Sequence, residues 1–279
     1  MAKLYRTREG DISAVDTRTQ LTTVGSETAP GPLLVPQGAK FIVAVHIAGC
    51  SNYAAATGYS LFARLEGAGL PNGPETRAAA AGGVPVATGG NAASAAVRIP
   101  VNFPVTPANE ILIFGECAGT DLGEVTMVVT LEFSDKLPTG GVPNKTFTVE
   151  GDITAADTKT NLTTQGSVTA PSPVVPSGIK KIDKIVFAAT SEGLANGSQG
   201  IFLRIGGNAV KNGEQVIAIS ALGRIAVQSG SDAAPQNMVA VVLEDVDIEV
   251  NPSDTLAVSA EGAGTDTGTV HVVVTLIYA

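Results

Sequence analysis

The sequence has few aromatic side chains and no tryptophan. Its 279 residues include eight Phe and four Tyr, so aromatic residues make up 4% of the chain. A glycosidase needs a pair of carboxylates flanking the scissile bond, and such clefts usually also carry aromatic platforms for the sugar rings. The low aromatic content therefore argues against a glycosidase.

Histidine is equally scarce, and no catalytic or metal-binding motif is present. The two histidines, His46 and His271, occupy different positions in the internal repeat of the chain and align with Phe187 and Thr126. A Ser–His–Asp or Cys–His site would have to use one of them. Zinc motifs and phosphate-binding loops are missing from the sequence. We expect two strand-face histidines, no enzymatic activity and no cofactor.

Basic residues are also few, and they are scattered singly. Seventeen Lys and Arg against 26 Asp and Glu give a net charge of -9. Nucleic-acid surfaces need a basic face, so direct nucleic-acid binding is not expected. The N-terminal residues lack the apolar segment of a signal peptide, and no apolar run approaches the ~18–20 residues of a membrane span. We expect a soluble chain made in the cytoplasm.

The two cysteines, Cys50 and Cys117, both fall in the first copy of the repeat. A disulfide between them would require close Cα atoms, which a sequence does not reveal. Two buried thiols and one disulfide are both compatible with the sequence, and the thiols are favoured.

The sequence contains one unit twice. A segment reading EGDI-x3-DT-x3-LTT-x-G-x2-TAP begins at Glu9 and again at Glu150. The ends of the two copies also match, in residues 116–133 and 261–278. A long internal period of this kind indicates repeated structural units. The sequence predicts a first domain over residues 1–134, a Pro/Gly linker over 135–145 and a second domain over 146–279.

Strand patterns dominate both copies. In the closing segment of copy one, Val125, Met127, Val129, Leu131 and Phe133 alternate with more polar residues. Period-two alternation indicates strands with one buried face, and many short strands between Gly/Pro turns are typical of a β-sandwich or barrel. The sequence predicts an all-β chain of two tandem β-sandwich or barrel domains, with hairpins at GTDLG and GTDTG and a mobile loop over residues 77–96.

Acidic residues recur in both copies, and four of them are candidate Ca²⁺ ligands. Glu116 and Asp121 flank one hairpin, as Glu261 and Asp266 flank the other. Hard cations need several converging oxygen ligands. The favoured alternative is that each Asp stabilises a turn and each Glu is solvated at a strand end, so no metal is expected.

Outward-facing positions differ between the copies, and several are apolar. The interface candidates are Leu112, Phe114, Val128, Val273 and Ile277. Clustered apolar residues on a nominally solvated face mark interaction surfaces. They are predicted to pack against the sister domain or a neighbouring subunit; the alternative is that another segment of the same chain covers them.

Two similar β domains joined by a short linker resemble the double jelly-roll major capsid proteins of tailless icosahedral viruses, many of which contain an internal membrane. The resemblance lies in architecture rather than in a diagnostic motif, and it covers essentially the whole chain. It implies that the two domains are jelly-roll-like and related by internal duplication. It also implies a homotrimer whose six domains form a pseudo-hexagonal tile of a viral shell, located in the virion. Minor capsid or vertex proteins and the membrane are the further partners it implies.

Two other functions are alternatives to a capsid role. A filament or surface-layer subunit would share the tandem β-sandwich composition. A virion spike or a carbohydrate- or cell-binding module would need exposed aromatic or clustered polar residues in its rim loops, and loop 77–96 offers neither.

Overall fold

A computed structural model describes residues 3–14, 17–27, 30–51, 60–71, 77–81, 92–93, 97–118, 125–137, 145–166, 168–169, 173–192, 197–218, 225–227, 237–263 and 269–279. Within these ranges the regular elements are β-strands joined by antiparallel pairing, so the chain is all-β as predicted. We call β1–β9 the first half and β10–β21 the second half.

The first half contains β1 (Leu4–Ile12), β2 (Thr19–Gln20), β3 (Phe41–Ser51), β4 (Ser60–Glu66), β5 (Arg77–Ala81), β6 (Ala92–Ala93), β7 (Val97–Pro104), β8 (Leu112–Ala118) and β9 (Val125–Ser134). The second half contains β10 (Lys145–Ile153), β11 (Thr160–Asn161), β12 (Thr164–Gln165), β13 (Val168–Thr169), β14 (Lys181–Glu192), β15 (Gly197–Gly206), β16 (Gln215–Ala218), β17 (Ile225–Val227), β18 (Asn237–Leu243), β19 (Ile248–Glu249), β20 (Ala257–Ala263) and β21 (Thr269–Tyr278).

Each half folds into two sheets with jelly-roll strand order. In the first half, sheet A has the order β1-β9-β3-β7 and sheet B the order β2-β8-β4-β5. In the second half, sheet C has the order β10-β21-β14-β18 and sheet D the order β11-β20-β15-β16. Counting the eight main strands of a half, both halves give the orders 1-8-3-6 and 2-7-4-5, the two Greek keys of a jelly roll. A common origin of the halves by duplication stays a prediction.

Strand pairing in the described residues stays within each half. The pairing of Glu9 with Val128 recurs as Glu150 with Val273. The first half's last strand ends at Ser134, and the second half begins at Lys145. The division into domains at 1–134 and 146–279 stays a prediction.

The two closing strands differ in burial, although their sequences match. In β9, Met127, Val129 and Leu131 point into the core of the first half while Val128 and Thr130 are half-buried. In β21 every residue from 270 to 278 is buried. A strand is buried on both faces only when both faces of its sheet are covered. Sheet C is therefore covered on its outer face, whereas sheet A keeps its outer face accessible.

Two parts of the predicted loop 77–96 are strands, so that prediction was wrong for residues 77–81 and 92–93. Strand β5 pairs with β4, and Ala78 lies opposite Arg64. Alanine has little intrinsic strand preference, but an available sheet edge overrides such weak preferences. The predicted hairpin tips at GTDLG and GTDTG lie outside the described residues.

The predicted alignment of His46 with Phe187 between the two copies was wrong by one residue. His46 lies opposite Thr130, while in the second half Val186 lies opposite Thr275. His46 therefore corresponds to Val186, on the outer face of its sheet. The segment before β14 is one residue shorter than its counterpart, because Pro36 corresponds to Pro176, and this shifts the alignment.

Candidate functional site

The outer face of sheet B packs against the outer face of sheet C, and we call this the internal contact. Phe62 of β4 forms a buried cluster with Ala188 of β14 and Val273 of β21. Val186 and Ile277 join the hydrophobic cluster that fills the first half. The internal contact is therefore a continuous apolar junction between non-equivalent faces of the two halves.

A buried ion pair lies beside this apolar junction. The Nε of Arg64 donates to Oε2 of Glu116 at 2.6 Å, and the two side chains are 2% and 0% exposed. Two charges removed from water are tolerated when they are paired and their remaining donors are bonded. Arg64 meets this condition by donating from Nη2 to the backbone oxygen of Gln165, at 2.7 Å, in the second half.

The turn that receives Arg64 needs glycine at position 166. Gly166 has φ +52°, and a Cβ placed there would lie 2.0 Å from Oε1 of Glu116. Its backbone N–H donates to Oε1 of Glu150 at 2.6 Å. Glycine thus provides both the left-handed conformation and the space for the Glu116 carboxylate to approach.

His271 lies behind this turn, between two carboxylates. Its Nε2 is 3.0 Å from Oε2 of Glu150, and its Nδ1 is 2.7 Å from Oδ1 of Asp152. Burial alone lowers the pKa of His271, but the hydrogen bonds to Asp152 and Glu150 outweigh it and raise the pKa to about 9. At a pH below this value, both ring nitrogens donate from an imidazolium. This arrangement holds two strands together and leaves no ring nitrogen to act as a general base.

The second half carries the same constellation on sheet D, where it is accessible. Nε of Arg204 donates to Oε2 of Glu261 at 2.8 Å, but these side chains are 27% and 17% exposed. Arg204 also donates from Nη1 to Glu214 at 3.1 Å. Phe202, equivalent to Phe62, is half-buried, and Val216 on β16 is 50% exposed. We call this surface the open face of sheet D.

The first half carries the counterpart of the covered surface on sheet A, which we call the open face of sheet A. The hydroxyls of Thr7 and Thr130 are 2.9 Å apart, as are those of Thr148 and Thr275. The second pair is fully buried, whereas the first is half-buried. The same hydrogen bond therefore lies under the internal contact in one half and at the surface in the other.

Charged and polar side chains around Glu132 form one end of the open face of sheet A. Its carboxylate bonds Lys3 at 2.5 Å, Arg98 at 3.1 Å and His46 at 3.2 Å. Burial alone raises the pKa of Glu132, but the hydrogen bonds from Lys3, Arg98 and His46 lower it to about 2. The equivalent residue of the second half is Ile277, fully buried. The two faces thus share their fold but not their chemistry at this end.

The predicted interface residues fall in two environments. Val273 and Ile277 are buried at the internal contact. Leu112, Phe114 and Val128 are half-buried on the first half. The Phe114 ring lies under the guanidinium of Arg18, 3.9 Å from its centroid. A role for these three in contacts between subunits stays a prediction.

The structure leaves the four calcium candidates untested as a set, because it describes only two of them. Glu116 and Glu261 each bind an arginine, and Asp121 and Asp266 lie outside the described residues. In the part of the chain that the structure describes, no group of three or more His, Cys, Asp or Glu side chains is placed to hold a metal.

The cysteines are free thiols, Cys50 exposed and Cys117 buried. The two cysteines therefore do not form the alternative disulfide. The predicted burial is correct for Cys117 and wrong for Cys50.

Among the described residues, no helix is long and apolar enough to span a membrane.

Sequence reasoning missed Arg64 and its partners. Glu116 was expected to be solvated, but it is fully buried. One signal was present: an arginine and a glutamate stand inside apolar strand segments at the same positions in both copies, 64 with 116 and 204 with 261. Charges retained inside strands indicate a pair on one sheet face.

No protein-family model and no curated protein matches the chain. Among solved structures, it is similar to a component of the Sulfolobus turreted icosahedral virus, at 13% identity over 98% of this chain and 56% of the other, with a TM-score of 0.23. An archaeal virus protein described by its triple jelly-roll fold and turret assembly follows at 12% identity, with the same coverage and a TM-score of 0.21. The chain thus spans about half the length of these two viral proteins.

A peptide-N(4)-(N-acetyl-β-D-glucosaminyl)asparagine amidase is similar at 9% identity over 99% of this chain and 96% of the other, with a TM-score of 0.32. Likeness this weak, to proteins of such different kinds, is no guide to function.

Proposed function

We propose that this chain is a structural, self-assembling protein, a major capsid protein of the double jelly-roll type that forms homotrimers and tiles a viral shell. The observation that carries the proposal is that two jelly rolls of identical strand order lie in one chain and contact each other through non-equivalent faces. No catalytic step is part of this function, and its location is the virion.

The way the halves contact each other supports the proposal. Sheet B of the first half packs against sheet C of the second half, so the two halves use non-equivalent sheets. The open face of sheet A and the open face of sheet D remain accessible among the described residues. Contacts between unlike faces propagate from copy to copy and produce rings when the rotation closes. Three chains supply six similar domains, which is the number a pseudo-hexagonal tile needs.

Joining two domains in one chain also favours assembly of weakly binding surfaces. The internal contact forms at an effective concentration of order mM or above, set by the linker. Each chain therefore enters an assembly with one contact already made. The principal partner in this proposal is a second copy of the chain.

The mass and shape of the purified protein test the proposal. Native mass spectrometry and sedimentation velocity are expected to show an oligomer of three 28.1 kDa chains, and electron microscopy to show hexagonal outlines or shells. A chain that stays monomeric over the whole accessible concentration range would contradict it. Open filaments would instead favour the filament-subunit alternative, since unlike-face contacts that do not close give fibres.

A further inference from the structure

We propose that the open face of sheet D of one chain binds the open face of sheet A of a second copy, reproducing between chains the contact that joins the halves within a chain. This rests on the proposed self-assembly and identifies the surfaces that perform it. Sheets B and D are equivalent, as are sheets C and A. The contact of B with C within a chain therefore predicts one of D with A between chains.

The open face of sheet D, which we call the donor face, has the residues that this contact needs. Phe202, Arg204 and Glu261 occupy the positions of Phe62, Arg64 and Glu116. The Nε to Oε2 distance is similar in the two halves, 2.6 and 2.8 Å, and in the second half Nη2 of Arg204 also lies 2.7 Å from Oε2 of Glu261. The first set is almost fully buried, whereas Arg204 and Glu261 remain accessible. The same constellation is thus presented on sheet D without the surface that covers it on sheet B.

The open face of sheet A, which we call the acceptor face, includes the turn at Val24–Gly25, equivalent to the turn that binds Arg64. Val24 pairs with Glu27 as Gln165 pairs with Val168, and Gly25 has φ +53°, matching +52° at Gly166. A Cβ on Gly166 would overlap Glu116, but a Cβ on Gly25 would meet nothing within 4 Å. The space above Gly25 is the space that Glu116 fills above Gly166, and Glu261 of a second copy fits it.

Apolar residues of the acceptor face complete the match. Phe62 packs on Ala188 and Val273, and the equivalent positions on sheet A are Ala48 and Val128. Both are half-buried. Phe202 of a second copy is therefore expected to pack on Ala48 and Val128, while Arg204 donates to the backbone oxygen of Val24.

The contact between chains is expected to be weaker than the internal one. Val186 and Ile277 of the covered face correspond to His46 and Glu132 on sheet A, and Glu132 already binds Lys3 and Arg98. Partly solvated charges contribute less to affinity than apolar contacts, and salt screens them. Reversible association that depends on concentration follows from this composition.

Two substitutions on opposite faces test the contact. Phe202→Ser removes the donor side chain and Val128→Arg obstructs the acceptor face; each is expected to raise the apparent Kd for self-association at least about tenfold, as loss of a central aromatic anchor does. The matched control is Leu34→Arg, which alters a side chain 46% exposed in the connection between β2 and β3 and is expected to leave assembly unchanged. Circular dichroism and the unfolding midpoint establish that all three variants fold.

Mixing the two face variants provides the decisive readout. The Val128→Arg chain keeps its donor face and the Phe202→Ser chain keeps its acceptor face, so the mixture is expected to form heterodimers and nothing larger. Misfolding of either variant would not produce this result. If both variants assemble like the wild type, or if the folded mixture contains only monomers, the inferred contact is wrong.

The outcome also separates this inference from the proposed function. Wild-type filaments that both variants abolish would support the contact and contradict the closed capsid tile. Wild-type trimers and shells that neither variant affects would support the capsid function and overturn the contact. A wild-type chain that never associates would contradict both.

Discussion

Arg64 and Arg204 occupy equivalent positions in the two halves and bind equivalent glutamates, yet Arg64 is 2% exposed and Arg204 is 27% exposed. The difference comes from the second half, whose Gln165 backbone oxygen accepts a hydrogen bond from Arg64. Neighbouring surfaces, rather than local sequence, set the environment of this pair. The chain thus contains matched controls for substitutions at Phe62, Arg64 and Glu116, in Phe202, Arg204 and Glu261.

Replacing Arg64 by alanine is expected to destabilise the protein by about 3–5 kcal/mol, because it leaves the buried Glu116 charge uncompensated. Arg204→Ala should cost clearly less than Arg64→Ala, since exposed pairs contribute little to stability. Urea unfolding at concentrations too low for assembly measures both. The combined change of Arg64→Met with Glu116→Leu is expected to recover most of the loss. Equal losses for Arg64→Ala and Arg204→Ala would show that burial at the internal contact is not what matters.

Gly166→Ala is expected to be more damaging than Gly25→Ala. Both glycines have positive φ, so both substitutions carry a conformational cost of about 1–2 kcal/mol. A Cβ at 166 also displaces Glu116, for a further cost of about 1–3 kcal/mol from overpacking. Unfolding midpoints of the dilute proteins test the difference. If the two variants were equally stable, the close approach of Glu116 to the turn would be refuted.

Phe62→Ala is expected to cost about 3–5 kcal/mol, the usual loss for a fully buried phenylalanine. Phe202→Ala removes an equivalent but half-buried ring and should cost the dilute chain clearly less. Hydrogen exchange adds a local readout, with faster exchange in β14 and β21 expected for Phe62→Ala. Unchanged exchange there would mean that Phe62 does not support the internal contact.

The stability of the protein is expected to fall as the pH rises from about 6.5 to 9. The pKa of His271 is raised to about 9 in the folded chain from an ordinary value of 6.5. A raised pKa contributes stability below the unfolded value and loses it as the pH passes the folded value. The contribution is on the order of 3 kcal/mol.

His271→Thr places in the second half the residue found at the equivalent position 126, and it is expected to flatten the pH dependence in this window. Asp152→Asn removes one of the two carboxylates and should reduce the dependence without abolishing it. Denaturant titrations at pH 6, 7.5 and 9 follow the change. A wild-type slope that His271→Thr leaves intact would assign the effect to another group.

Much of the fold could be predicted from local sequence patterns. The period-two alternation of Val125, Met127 and Val129 correctly predicted a strand with one buried face, because side chains alternate across a sheet. The all-β class followed from many such strands between Gly/Pro turns, whereas the jelly-roll type was expected only from the resemblance to double jelly-roll proteins. Strand β5 was missed, since an alanine-rich segment has no strand signal of its own and becomes a strand only by pairing with β4.

The candidate site was harder to predict from the sequence. Val273 and Ile277 were recognised as outward and apolar, but nothing local distinguishes a face covered by the same chain from one awaiting another chain. Arg64, Glu116 and Gly166 were missed as a group because 102 positions of sequence separate Arg64 from the glycine that faces it, and the contact exists only after both halves have folded.

The sequence by itself determined the repeated unit, the alternating strands and the positions of the paired charges, because these depend on residue type and spacing along one strand or turn. Only the tertiary structure decided that Arg64 is buried while Arg204 is accessible, and that β21 is covered on both faces while β9 is not. Burial of an outward face depends on which other surface packs against it, and that surface lies in a distant part of the chain.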